Sequence, residues 1–152
     1  MITDFEWPIP PHFYLAVDSA GLEPAVLALT DGRRETGTMV RLDPANNLVE
    51  FTPQKAPVTR QFGFQDFKSL RLTRPIGLKR FELDQAGKLD SPDVGLRQRC
   101  VVTFRDGDSL MSETIGYVEH KFGLFLFLCS YGDDVLRWFI PASAMASYQI
   151  GE

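Results

Sequence analysis

Bond-making chemistry in this 152-residue chain would have to come from two histidines, two cysteines, isolated serines and a few carboxylate pairs. His12 follows Pro10-Pro11 and His120 sits in Glu119-His120-Lys121. Neither has a Cys, Asp or Glu at the spacing of a metal site, and no CxxC or HExxH motif occurs. Both histidines therefore read as structural or solvent-facing. Ser143 lies in Pro-Ala-Ser-Ala, without the glycines of a nucleophile elbow. The pairs Asp106/Asp108 and Asp133/Asp134 fall at turns, where carboxylates hydrogen-bond their own backbone. GxxxxGK[ST] and GxGxxG are absent, so neither a Walker nor a Rossmann phosphate loop is expected. Catalysis would require His12 and His120 to converge. The expectation is a non-catalytic protein without cofactor or metal.

Charge offers a different kind of chemistry. The formal net charge is −4, which argues against duplex nucleic acid or an anionic membrane as main partner. That value is an average. Residues 55–80 hold Lys55, Arg60, Lys68, Arg71, Arg74, Lys79 and Arg80 against the single acid Asp66. This stretch is +6 and the remainder −10. Lys68, Arg71, Arg74, Lys79 and Arg80 are candidate anion-binding residues, for RNA or a nucleotide second messenger. Against this, the basic residues alternate with apolar ones (Phe67-Lys68, Leu70-Arg71-Leu72) and are not interleaved with aromatics as a base-stacking platform requires. A solvated strand face, paired to the acidic second half, is the simpler expectation. The RxxxR and [DN]xSxxG signature of cyclic-di-GMP-binding domains is also absent.

The elements that must position these residues repeat. Val26-Leu-Ala-Leu-Thr-Asp31-Gly32 reappears seventy-five positions later as Val101-Val-Thr-Phe-Arg-Asp106-Gly107. Behind each Asp-Gly come a second run (Gly37–Val40; Glu113–Val118), a third (Leu48–Phe51; Leu124–Phe127), a fourth (Arg60–Phe64; Val135–Ile140) and a short fifth (Asp66–Leu72; Ser143–Ile150). Asp-Gly between alternating apolar runs predicts a two-residue type I′ hairpin. A five-strand meander gains burial and loses its edges by curling into a barrel. The expected fold is all-β: two tandem Sm-like small β-barrels related by internal repeat, at residues 25–74 and 99–152. Residues 75–98 read as a linker containing one extended stretch. Residues 1–24 read as an extended Pro-rich arm pinned by Trp7, Phe13 and Tyr14.

Leu124-Phe125-Leu126-Phe127-Leu128 is apolar on both faces and must be covered twice. Its second cover is the other unit, the arm or a partner. Phe122, Phe125, Phe127 and Trp138 are accordingly the candidate partner-binding surface. Cys100 and Cys129 lie in apolar runs and read as buried thiols. With no apolar run long enough to span a bilayer and no cationic, apolar leader at Met1–Trp7, a cytoplasmic location is expected.

The second half, Phe104-Arg-Asp-Gly107 through Leu110, Glu113-Thr114-Ile-Gly116, Gly123-Leu-Phe-Leu-Phe127 and Leu136-Arg-Trp-Phe-Ile-Pro141, resembles the N-terminal extension of bacterial type II secretion and type IV pilus assembly ATPases. Phe67-Lys-Ser-Leu-Arg-Leu-Thr73 and Phe5-Glu-Trp-Pro8 are similar to the same region. The Walker motifs and the motor domain are missing. The resemblance implies either an excised regulatory domain or a free-standing relative, whose role is docking on, or regulation of, the secretion or pilus machinery.

Overall fold

The computed structural model describes residues 7–9, 13–15, 22–76, 78–80, 97–129 and 135–151. The strands are β1 (Phe13–Leu15), β2 (Glu23–Leu29), β3 (Arg34–Asp43), β4 (Leu48–Pro53), β5 (Arg60–Gly63), β6 (Phe67–Ile76), β7 (Leu78–Arg80), β8 (Gln98–Phe104), β9 (Ser109–His120), β10 (Gly123–Cys129), β11 (Val135–Pro141) and β12 (Met145–Ile150). Short 3₁₀ turns occupy Pro44–Asn46 and Ala142–Ala144. The protein is all-β, as its strand pattern predicts.

Separate closed barrels are not what forms. Ten strands make one open antiparallel sheet in the order β12-β8-β9-β10-β11-β6-β2-β3-β4-β5, and β1 pairs with β7. The two halves join where β11 pairs with β6, matching Arg137 with Leu72, Trp138 with Arg71 and Phe139 with Leu70. Each of these strands would otherwise be an edge with unmet main-chain groups, and pairing them satisfies both. Within each half the fifth strand lies beside the first, followed by the second, third and fourth. β6 continues to Ile76, which pairs with Val135, and β7 falls inside the stretch expected to be linker. Residues 81–96 lie outside the described residues.

Both Asp-Gly hairpins form, with a different turn from the one predicted. Gly32 N donates to Leu29 O (3.1 Å) while Leu29 N donates to Arg33 O (2.8 Å). Gly107 N to Phe104 O (3.0 Å) and Phe104 N to Asp108 O (2.8 Å) repeat the arrangement. These are three-residue loops, a type I turn closed by a left-handed glycine, with φ of 95° at Gly32 and 98° at Gly107. A type I′ turn would need positive φ at the aspartates too, and Asn47 is the sole non-glycine with positive φ among the described residues. Each aspartate instead accepts from the backbone two residues on: Asp31 from Arg33 N (3.0 Å), Asp106 from Asp108 N (2.9 Å).

The two-faced strand β10 decides the packing. Leu124, Leu126 and Leu128 enter a core with Cys100, Val102, Phe104 and Ile140. Phe125 and Phe127, on the opposite face, enter the core of the first half with Leu27, Phe51, Phe67, Leu70 and Leu72. The arm contributes as expected at Trp7, whose ring meets Phe125 edge-on at 5.2 Å. The second cover is therefore the other half together with the arm. Each fully buried phenylalanine contributes about 2–3 kcal/mol of transfer free energy, enough to make the joint a continuous core.

Candidate functional site

Lys68, Arg71 and Arg74 all lie on β6, the strand that joins the halves. Alternation turns Leu70 and Leu72 into the core and leaves Arg71 half-buried on the other face. Lys68 reaches the second half's Asp-Gly loop, with Nζ 2.6 Å from Asp106 Oδ2, 2.8 Å from Asp108 Oδ2, and 4.7 Å above the Phe104 ring. Burial works against its charge, but the two carboxylates outweigh it and hold the ammonium pKa above its usual value. The Lys68 ammonium and the Asp108 backbone N–H likewise lower the Asp106 carboxyl. This is the pairing of basic strand with acidic second half that the sequence favours.

Arg74 grips Glu23 at the start of β2 through Nε (3.2 Å) and Nη2 (2.7 Å). Glu23 also accepts from Arg137 Nη2 of β11 at 2.9 Å. Both Glu23 and Arg137 are buried. Burial lowers the Arg137 pKa and nearby Arg74 adds to that, while Glu23 opposes it.

Arg71 has a different neighbour. It stands opposite Trp138 in the β6–β11 register, and its guanidinium lies 5.6 Å from the indole centroid. Arg34, Lys68, Ser69, Arg71, Asp108 and Trp138 are among the residues lining a groove of about 170 Å³ over the joint. The side chains of Lys79 and Arg80, on β7, lie outside what is described, as does His12. The proposed basic cluster is thus divided: Lys68 bridges the two halves, Arg74 pairs with Glu23 within the first half beside the joint, and Arg71 faces the groove.

The proposed aromatic surface is also divided, and half of it requires correction. Phe125 and Phe127 are fully buried, so they hold the halves together and offer no surface. Phe122 is partly buried against the first core and stacks on His120 at 4.9 Å, with ring planes 8° apart. Trp138 is partly buried against the second core and reaches the groove. A second cleft, of about 400 Å³, lies between Asn47, Phe64, Asp66, Phe122 and Ser143. Ser143 Oγ there donates to Phe64 O at 3.0 Å, so its hydroxyl links the halves. Among the described residues, no group of three or more His, Cys, Asp or Glu is placed to hold a metal ion. No helix among them is long and apolar enough to cross a membrane.

Sequence reasoning missed two features. Glu23 was legible only as an acid preceding an apolar run; nothing local marks it as the carboxylate shared by two arginines. The other is the place of β12, Met145-Ala-Ser-Tyr-Gln-Ile150: the strand is the fifth run expected at Ser143–Ile150, but that it ends the sheet as an edge was not expected. Its signal is an alternating strand with no charged residue and no proline, the devices that usually protect an edge. The opposite edge, β5, is four residues long, carries Arg60, and has its Gly63 N–H held by Asp66 Oδ2 at 3.0 Å.

No known protein family, characterised protein or solved structure matches the chain.

Proposed function

We propose that this chain is a non-catalytic, cytoplasmic protein-docking module, built of two Sm-like units in tandem, that acts on the machinery of a type II secretion or type IV pilus assembly ATPase. The tandem repeat is supported by the strand order shared by the halves and by the matching hairpin bonds at Gly32 and Gly107. The partner follows from the resemblance described above. The observation that carries docking is the sheet edge β12, an uncharged strand with a hydrogen-bonded neighbour on one side only among the described residues. Such an edge is a template for another chain.

The rival reading, an anionic ligand such as RNA or a nucleotide second messenger, is favoured by Arg71 over Trp138 with Arg34 in the same groove. It is weakened by the engagement of Lys68 and Arg74 in ion pairs across and beside the joint. One experiment separates the two. The chain is titrated with the purified ATPase, and in parallel with cyclic-di-GMP and single-stranded RNA at two salt concentrations. Docking predicts saturable ATPase binding and no ligand signal sensitive to Arg71→Glu. Salt-sensitive ligand binding lost in Arg71→Glu, with no ATPase binding, overturns it.

A further inference from the structure

We propose that β12 takes up an extended segment of a partner protein as an additional antiparallel strand, in the register by which β6 takes up β11; this rests on the docking role above and specifies its surface. The segment carries large apolar side chains at alternate positions and an acidic residue near its end at Arg99.

The basis is a correspondence of hydrogen bonds. β6 lies on β2 with Ala28 opposite Ser69, Leu27 opposite Leu70 and Ala25 opposite Leu72, and the register shifts between Ala28 and Leu29. β12 lies on β8 with Thr103 opposite Ser147, Val102 opposite Tyr148 and Cys100 opposite Ile150, and shifts between Met145 and Ser147. Beyond the shift, Thr30 N donates to Asp66 O in one half and Arg105 N to Ala144 O in the other, both at 3.0 Å. Tyr148 and Ile150 thus occupy the places of Leu70 and Leu72.

Antiparallel ladders alternate, so residues bonded to one neighbour present nothing to the other. Gly151 N donates to Arg99 O at 2.8 Å, which makes Gly151, Gln149 and Ser147 the residues bonded to β8. Tyr148 and Ile150 then direct N–H and C=O away from β8. On β6 the corresponding Leu70 and Leu72 meet Phe139 and Arg137 of β11. The same backbone groups that complete the joint on β6 have no hydrogen-bonded strand beside them on β12 among the described residues.

Side chains select the occupant. Tyr148 and Ile150 are half-buried against the second core, ready to be covered by apolar groups. On β11 the residue opposite Leu72 is Arg137, which meets Glu23. The position corresponding to Glu23 holds the neutral Gln98, flanked by exposed Arg97 and Arg99, which outnumber the one carboxylate beside them, Glu113, opposite Arg99 and paired with Arg97 at 3.3 Å. An acidic residue therefore replaces arginine in the incoming strand. A second copy offering β5 fits less well, because Asp66 already holds Gly63 at both N–H and C=O.

The test uses a synthetic peptide copying Val135–Pro141 with Arg137→Glu, added to the isotopically labelled full chain. In the free chain the amides of Tyr148 and Ile150 exchange rapidly while Ser147 and Gln149 are protected. The peptide protects Tyr148 and Ile150 and shifts their resonances. Ile150→Pro removes an outward donor without touching a bond to β8 and weakens peptide binding about tenfold or more. Should that variant not fold, the exchange pattern of the unaltered chain decides alone. Protection of Tyr148 and Ile150 in the free monomer overturns the proposal. So does peptide binding mapped to β5 or the Arg71–Trp138 groove, or protection that grows with protein concentration and marks a second copy as the occupant. ATPase binding that survives Ile150→Pro overturns the edge but not the docking role. Peptide docking without ATPase binding overturns the assigned partner but not the edge.

Discussion

Glu23 and Arg137, 114 positions apart, form a buried ion pair of 2.9 Å that spans the joint between the halves. Arg74 binds the same carboxylate from the solvent side, its side chain 42% exposed. Removing one member of a buried pair strands the other's charge, whereas removing both does not. Glu23→Gln is therefore expected to lower unfolding stability by roughly 3–5 kcal/mol. Arg74→Gln should lower it by no more than about 1 kcal/mol, because its charge is largely solvated. Glu23→Met combined with Arg137→Met recovers much of the loss. Urea denaturation of the four proteins checks the order, and equal costs for Glu23→Gln and Arg74→Gln would disprove it.

Lys68 gives the joint a pH signature. The Asp106 pKa is held below its reference 3.8, so its contribution is complete above that value and is lost as pH falls through the folded-state pKa. The Lys68 pKa is held above 10.5, so its contribution is complete below that value and is lost as pH rises through the folded-state pKa. Between those limits the pair adds a constant increment. Lys68→Met should lower the urea midpoint across this window and bring the two proteins together toward the acid extreme. An unchanged difference under strong acid, where the aspartates are protonated, would show that the contact of the ammonium with the Phe104 ring, not the ion pairs, is responsible.

Phe125 is a joint residue, and its substitution should read as lost stability. Phe125→Ala is expected to cost roughly 3–5 kcal/mol, since a fully buried ring is removed from between Trp7, Phe122 and Phe139. Thermal unfolding by circular dichroism measures it. A change below about 1 kcal/mol would mean that the second cover of β10 is not the first half.

Two glycines are needed for different reasons. A Cβ on Gly123 would come 2.5 Å from Phe139 Cε1 and 2.6 Å from Ile140 O. One on Gly32 would meet nothing within 4 Å, though φ is +95°. Gly123→Ala is expected to cost about 1–3 kcal/mol through overpacking and to perturb the aromatic resonance of Phe139. Gly32→Ala costs about 1–2 kcal/mol through backbone strain alone, with the core resonances unmoved. Core shifts in Gly32→Ala would contradict the distinction.

The buried thiol of Cys100, pushed up by desolvation to about 11, should resist alkylation at pH 8 until the chain unfolds. Half-buried Cys129 should label first. Mass spectrometry of partly labelled protein distinguishes the sites, and equal labelling would show that the second core opens on its own.

The amino-acid sequence by itself determined the strands and where the chain turns between them, though not the turn type at the two Asp-Gly hairpins. Alternation at Val26–Leu29 and Val101–Phe104, and the positive φ that Gly32 and Gly107 supply, depend on near neighbours, so they are written in contiguous residues. It also announced, in Leu124–Leu128, that one strand must be covered on both faces. Only the tertiary structure decided what covers it. Whether each half closes on itself or β11 pairs with β6 depends on main-chain groups that every strand edge offers alike, and apolar burial has no direction of its own. The decision came from where side chains far apart in the chain meet: Phe125, Phe127 and Phe139 inside the first core, Glu23 between two arginines, Lys68 between two aspartates. That same pairing consumed the edge of β6 and left β12 at the end of the sheet among the described residues, so the candidate docking strand could be located only once the joint was known.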